Sequence, residues 1–360
     1  MTSRRTIAFY ISGHGFGHAS RAIEVINALI DRRPDLRIII RSSVAPWLIA
    51  RTAHQRVERS QAEVDTGVVQ IDSLNLDAAA SIERVEDFMA TFDARVGGEV
   101  EFLRAHRAAA VVADLPPLGI AAAHAAGIPA IALGNFTWDW IYEHYAGGER
   151  VARRIGDVYR DVTLALRLPM WGGFETMPVI RDLPFVARRS KRAALEVRDA
   201  LGIPRDAKVV LTSFGGYGVE GFDVPAIQSL RDYHVLLPGT IDETAMYERG
   251  YRYEDLVKAV DVVVSKPGYG IISECLANGT ALLYTSRGDF REYQVLVDAM
   301  PAFLRCAFID HADLFAGRWA RHLDRLLAQP EPPARPATDG AEVAADMLLN
   351  VFDDRTDRDA

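Results

Sequence analysis

Short β-branched runs alternate with helix-period segments along most of this chain, the pattern that parallel sheets built from βαβ units require. In the first half the runs are Thr6–Ser12, Leu36–Arg41, Val68–Asp72, Ala109–Asp114 and Ala130–Leu133, and each predicts a strand. Between the first two, Ile23, Ile26 and Ile30 recur at spacings of three and four, which places them on one helix face. The alanine-rich stretch from Ile120 stops at Gly127, ahead of Ile128 and Pro129. After a Pro- and Arg-rich stretch from Pro178 to Arg192, a second series predicts strands at Val209–Ser213, Tyr233–Leu237, Val260–Ser265, Ala281–Ser286 and Ala307–Asp310. The expected fold class is therefore α/β, with two Rossmann-like, doubly wound parallel-sheet domains, 1–185 and 186–330, facing a cleft. Prolines around Gln329–Pro336 make an extended spacer, and the segment 331–352 ends in a predicted helix, Ala341–Phe352, that returns to the first domain. Residues 353–360 read as a frayed, charged tail.

Composition narrows the function classes. With 360 residues, 49% of them hydrophobic and 25% charged, the chain matches a soluble protein of about two domains. The apolar run at 6–12 is too short for a bilayer, and Arg4-Arg5 does not make a signal peptide, so no membrane span and a cytoplasmic location are expected. A formal net charge of −8 argues against general nucleic-acid binding and leaves any anionic ligand to local donors. Cys275 and Cys306 lack metal or redox spacing and read as small buried hydrophobes. A monomer and a homodimer both fit.

Three segments carry chemistry. Ile11-Ser-Gly-His-Gly-Phe-Gly-His-Ala-Ser-Arg21 sets His14 and His18 among glycines between the first strand and the first helix, where open α/β sheets bind ligands. Either imidazole can take a proton near neutral pH, and Gly17 lets backbone approach a substrate. A dinucleotide site is discounted: His18 stands where the third fingerprint glycine belongs, and Leu36–Arg41 ends without an acidic residue. The second segment, Val262 to Ala277, runs a strand through Ser265, Lys266 and Gly268 into a helix carrying Tyr269, Gly270, Ile271, Ser273 and Glu274. Free amides at that N-terminus suit a diphosphate, and Glu274 either accepts from ribose hydroxyls or caps the helix. No Gly-Lys-Ser/Thr follows, so this is not a triphosphate P-loop. The third segment is Thr212–Gly218, where Gly215 and Gly216 offer amides to the same diphosphate or simply close a turn. Beyond the fourth strand of this half, Asp289, Glu292 and Gln294 are hydroxyl-binding types, and Arg287 or Arg291 can pair with phosphate.

A Gly-rich turn with histidine after strand one, joined to a strand-turn-helix ending in Ser-Glu, resembles the GT-B glycosyltransferases. Gly15-Phe-Gly-His-Ala-Ser-Arg21, Asn135-Phe-Thr-Trp-Asp-Trp-Ile-Tyr142 and Lys266-Pro-Gly-Tyr-Gly-Ile-Ile-Ser-Glu274 look like the glycosyltransferase-like N-terminal region of plant L-arabinokinases. No Gly-Leu-Ser-Ser-Ser phosphate loop of that kinase class occurs, so arabinose phosphorylation is not carried over. The resemblance implies an acceptor-binding first domain and a nucleotide-sugar-binding second one. It also implies a catalytic base at His18, with His14 the contender, and a ribose contact at Glu274. Asp114 closes the fourth strand, adjacent to the first in the usual winding, where it either orients that imidazole or caps the next helix. Asn135 and Trp138 follow the fifth strand and are expected to meet an acceptor, as are loops within 43–66, 73–107 and 143–178.

The implied reaction is inverting transfer from a nucleotide diphosphate sugar, most directly a UDP-sugar, with no cofactor. Position 282, eight after Glu274, is leucine where retaining members often repeat the glutamate. No metal is expected, since Asp357-Arg-Asp359 in the tail is the sole Asp-x-Asp. The competing readings are a nucleotide-sugar 2-epimerase or hydrolase, and a non-catalytic nucleotide-sugar sensor.

Overall fold

Backbone hydrogen bonding gathers the β-branched runs into parallel sheets of seven and five strands, with a separate two-stranded ribbon. The structure, a computed structural model, describes residues 5–216 and 218–353. In chain order the strands are β1 Thr6–Ile11, β2 Arg37–Ser42, β3 Glu58–Gln61, β4 Val69–Gln70, β5 Leu76–Asp77, β6 Ala108–Asp114, β7 Ala130–Phe136, β8 Leu164–Gly172, β9 Ile180–Asp182, β10 Lys208–Thr212, β11 Tyr233–Leu236, β12 Val262–Ser265, β13 Ala281–Tyr284 and β14 Cys306–Phe308.

The larger sheet runs β3-β2-β1-β6-β7-β8-β9 and the smaller β11-β10-β12-β13-β14, with parallel neighbours throughout. Both orders are doubly wound. The strand order reverses between β1 and β6 in one sheet and between β10 and β12 in the other, and such switch points are where α/β sheets hold ligands. Central strands are apolar on both faces, as burial on both sides demands: β1 is buried at every residue, and so are β7 and β12.

Contacts divide the chain into two units. The first takes in Met1–Val69, Asp77–Val186 and Asp339–Ala360; the second takes in Gln70–Leu76 and Ala187–Thr338. The helix Gly340–Asp353 packs on the helix Gly17–Arg32 of the first unit, with Ala344, Ala345 and Leu348 fully buried. The remainder of the predicted tail, 354–360, with Asp357-Arg-Asp359, lies outside the described residues.

Two expectations need correction. Val68–Asp72 forms no strand of the large sheet: only Val69–Gln70 is extended, paired with β5, and Ile71 is 70% exposed. The large sheet instead takes Glu58–Gln61, a polar edge strand that hides no apolar face and so shows no hydrophobic pattern. The segments read as loops hold regular elements: the helix Pro46–Thr52, the helices Ala78–Ala90 and Phe92–Ala105, the helix Glu149–Tyr159, and β8.

Candidate active site

In the first unit, β1 pairs directly with β6, in a register that sets Ile11 opposite Asp114. The chain leaving β1 then turns through glycines, Gly15 at φ +70°, into the helix Gly17–Arg32. Residues three apart on a helix share a face, so His18 and Arg21 point together at the end of β6.

There the side chains form one buried cluster. His18 Nδ1 lies 2.8 Å from Asp114 Oδ1. Arg21 grips the same carboxylate, Nε on Oδ2 at 2.6 Å and Nη2 on Oδ1 at 2.5 Å, while Nη1 donates to Asn135 Oδ1 at 2.5 Å. His18, Arg21 and Asp114 are 6%, 5% and 1% exposed, so these bonds act with little solvent screening. Burial pushes the Asp114 carboxyl up, but the Arg21 guanidinium and His18 outweigh it and hold the carboxyl below its ordinary value. An ionised carboxylate only accepts hydrogen bonds, so Asp114 selects the Nδ1–H tautomer of His18 and leaves Nε2 with its lone pair. Arg21 Nη2 also lies 3.0 Å from Nδ1, but its shorter bond runs to Asp114.

The structure therefore brings His18 and Asp114 together, and Asp114 is no helix cap: Pro116 occupies that position of the next helix. His14 stands edge-on to His18, ring centroids 6.4 Å apart, and edge-on to Trp138 at 5.8 Å. Gly17 is exposed at the start of its helix. Asn135 and Trp138 are fully buried. Asn135 is engaged by Arg21, and Trp138 stacks on His18 at 5.9 Å while its indole N–H donates to Asp65. Trp138 thus braces His18, and Asn135 braces Arg21.

In the second unit the switch point lies between β10 and β12. Ser265 Oγ donates to the Ser213 carbonyl at 2.5 Å across those strands, and the helix Tyr269–Asn278 begins at Gly268, which supplies no side-chain cap. First-turn amides of a helix are donors that an anion can use. Lys266 stands beside them; burial and the nearby Arg287 charge pull its ammonium down to about 7. Tyr269 and Ser273 are buried, Ser273 Oγ bonds back to the Gly270 carbonyl, and Gly270 and Ile271 are half-buried. Gly215, at φ +75°, and Gly216 are exposed beyond β10.

Glu274 is buried and is not a cap. Arg188 binds it through Nε at 2.6 Å and Nη2 at 2.5 Å, both on Oε1, and the Arg188 guanidinium lies over the Tyr253 ring at 5.2 Å. Burial pushes the Glu274 carboxyl up, and Arg188 offsets part of that rise. Glu292 is likewise buried, 3.4 Å from Arg287 Nη1, while Asp289 is exposed. Among the described residues no cluster of three His, Cys, Asp or Glu side chains has the spacing to hold a metal ion, and no helix is long and apolar enough to cross a membrane.

Sequence reasoning assigned no role to Arg21, Asp65 or Arg188. Arg21 was legible, three residues after His18 on one helix face. Asp65 and Arg188 lie in irregular segments, where no periodicity marks a side chain that turns inward.

Several solved structures share this architecture. The glycotransferase of kitacinnamycin superposes with a TM-score of 0.63 at 18% identity, over 97% of this chain and 99% of the other. A UDP-glucose: anthocyanidin 3-O-glucosyltransferase in complex with UDP gives 0.58 at 11% identity, over 98% and 95%. MurG of Acinetobacter baumannii gives 0.52 at 13%, over 97% and 99%. The chain has the GT-B glycosyltransferase fold. In sequence, this GT-B chain is 31% identical over 359 residues to an L-arabinokinase of Arabidopsis thaliana, across 95% of its own length. It spans about a third of that relative, 34%. No family model matches the chain.

Proposed function

We propose that this chain is an inverting, metal-independent glycosyltransferase that moves a sugar from a UDP-sugar to an acceptor hydroxyl. The observation that carries the reading is the buried His18–Asp114–Arg21 cluster at a switch point of a GT-B fold, with His18 Nδ1 2.8 Å from Asp114. His18 Nε2 takes the proton of the acceptor hydroxyl as the acceptor oxygen bonds to the anomeric carbon and the bond from that carbon to the diphosphate oxygen breaks. Asp114 stabilises the imidazolium that results, and Arg21 keeps Asp114 ionised until then.

The leaving diphosphate is assigned to the second unit. First-turn amides of the helix Tyr269–Asn278 receive its charge, with Lys266 and Arg287 as the cations. Glu274 Oε2, the oxygen that Arg188 does not engage, takes a ribose hydroxyl. One base and one displacement invert the anomeric centre, and Leu282, where a second glutamate would stand, fits a mechanism with no glycosyl-enzyme intermediate. The L-arabinokinase similarity supports a sugar-handling role and leaves the acceptor to be identified.

A panel of UDP-sugars and other nucleotide sugars is to be screened by thermal shift and then offered with candidate acceptors. The expected result is a raised melting temperature with UDP-sugars and acceptor-dependent release of UDP. His18→Ala is expected to keep donor binding and lose turnover by about a thousandfold. Rapid epimer formation without any acceptor overturns the transferase assignment, and binding without turnover across the panel makes the chain a sensor.

A further inference from the structure

One buried acid in the first unit has no part in the mechanism above. Asp65 lies on the irregular segment after β3, and its hydrogen bonds come from neutral donors: Oδ1 accepts from Ser12 Oγ at 3.1 Å and Oδ2 from Trp138 Nε1 at 3.0 Å. Asparagine could accept the indole N–H and pair with the serine hydroxyl without the cost of burying a charge. Retaining a carboxylate there therefore needs a reason beyond packing.

Its two partners both lead to the catalytic turn. The indole that Asp65 anchors stacks on His18, ring centroids 5.9 Å apart and planes 24° from parallel. The hydroxyl that donates to Asp65 also accepts the backbone N–H of His14 at 3.2 Å. Two residues on, Gly67 holds φ +58°, and a Cβ there would come within 2.7 Å of the His14 side chain. Its carbonyl accepts from Tyr142 Oη at 2.7 Å. The segment is thus seated against His14 and reaches His18 through the Trp138 indole.

We propose that Asp65 is a positioning residue of the His18 centre: through the Trp138 indole it fixes the plane of the imidazole, and its charge adds to that of Asp114 when His18 is protonated. This rests on the assignment of His18 as base. The groups facing His18 are Asp114 on β6, Arg21 on its own helix, His14 on the glycine turn and Asp65; the phenols of Tyr142 and Tyr159 also face Asp65. Asp65 undergoes no covalent change; the proton passes from acceptor to Nε2 and later to solvent.

The test uses the full chain with Asp65→Asn and Trp138→Phe, each checked for folding by its melting curve. The first readout needs no substrate: the low-field proton resonance of His18 Nδ1–H, identified by its loss in His18→Gln. The proposal expects it to shift or broaden in both variants. With substrates, kcat is expected to fall about tenfold while KM stays within about twofold, as loss of an interaction made only in the transition state requires. In Asp65→Asn the acid limb of the kcat/KM profile moves to lower pH, because a negative charge that favours the imidazolium is gone. An unmoved resonance in the folded variants, or an unmoved profile and kcat, overturns the proposal. Absence of turnover by the wild type sinks the transferase reading, and the resonance then decides the role of Asp65. If Asp65→Asn does not fold, Asp65→Ser, which removes the same charge, carries the test.

Discussion

At the residue scale, two buried carboxylates of the first unit have opposite electrostatics. Asp114 is paired with Arg21 and His18, which hold it ionised; Asp65 has neutral donors, and burial raises its carboxyl to about 6. Between about pH 4, the ordinary aspartate value, and about pH 6 the folded state binds the Asp65 proton while the unfolded state has lost it. Stability therefore falls as pH rises through that window. Asp65→Asn removes the penalty, so the variant is expected to melt higher than wild type at pH 8, by about 1–3 kcal/mol, and to match it near pH 4. Calorimetric melts at the two pH values check this. A variant that gains stability while losing kcat would mark a charge kept for chemistry.

At the element scale, the second unit presents two kinds of glycine. Gly268 precedes the helix Tyr269–Asn278 in extended backbone at φ −154°, a conformation any residue adopts, and a Cβ there would meet no atom within 4 Å. Nothing in the local fold asks for glycine. If the bare backbone serves an approaching diphosphate, Gly268→Ala should leave stability within about 0.5 kcal/mol and weaken UDP binding about tenfold or more, as titration calorimetry would show. Gly215 differs, because its φ of +75° is a left-handed conformation that disfavours a side chain. The helix Gly17–Arg32 combines two demands in one element: its apolar stripe of Ile23, Ile26 and Ile30 builds the core, and its first turn carries His18 and Arg21 inward.

At the scale of the whole molecule, each unit is assembled from chain segments distant in sequence. Asp339 onward belongs with the first unit, where Leu348 is completely buried in the helix Gly340–Asp353 and Arg32 bonds Asp346 at 2.5 Å. The exposed ion pair contributes little, so the apolar contact is what holds this helix. Leu348→Ala is expected to destabilise the first unit by about 2–4 kcal/mol, read by thermal melting, without altering UDP affinity. Similarly, Gln70–Leu76 belongs with the second unit, where Ser73 donates through Oγ to the Phe214 carbonyl at 2.5 Å.

The strands of both sheet centres were legible in the sequence, because a strand buried on both faces must be apolar throughout, and β1, β6, β7, β10, β12 and β13 announce themselves that way. The pairing of β1 with β6 was expected from the usual doubly wound order, whereas the role of Asp114, orienting His18 or capping the next helix, was left open by the sequence and decided by the packing. The polar edge strand Glu58–Gln61 was hidden, because an edge exposed to water needs no hydrophobic pattern. Asn135 and Trp138 were picked out by residue type, but their bonds to Arg21 and Asp65 depend on packing from other elements. Asp65 and Arg188 came into view only in three dimensions. A local pattern records the face an element buries, whereas the partner a lone charge finds is set by segments far along the chain.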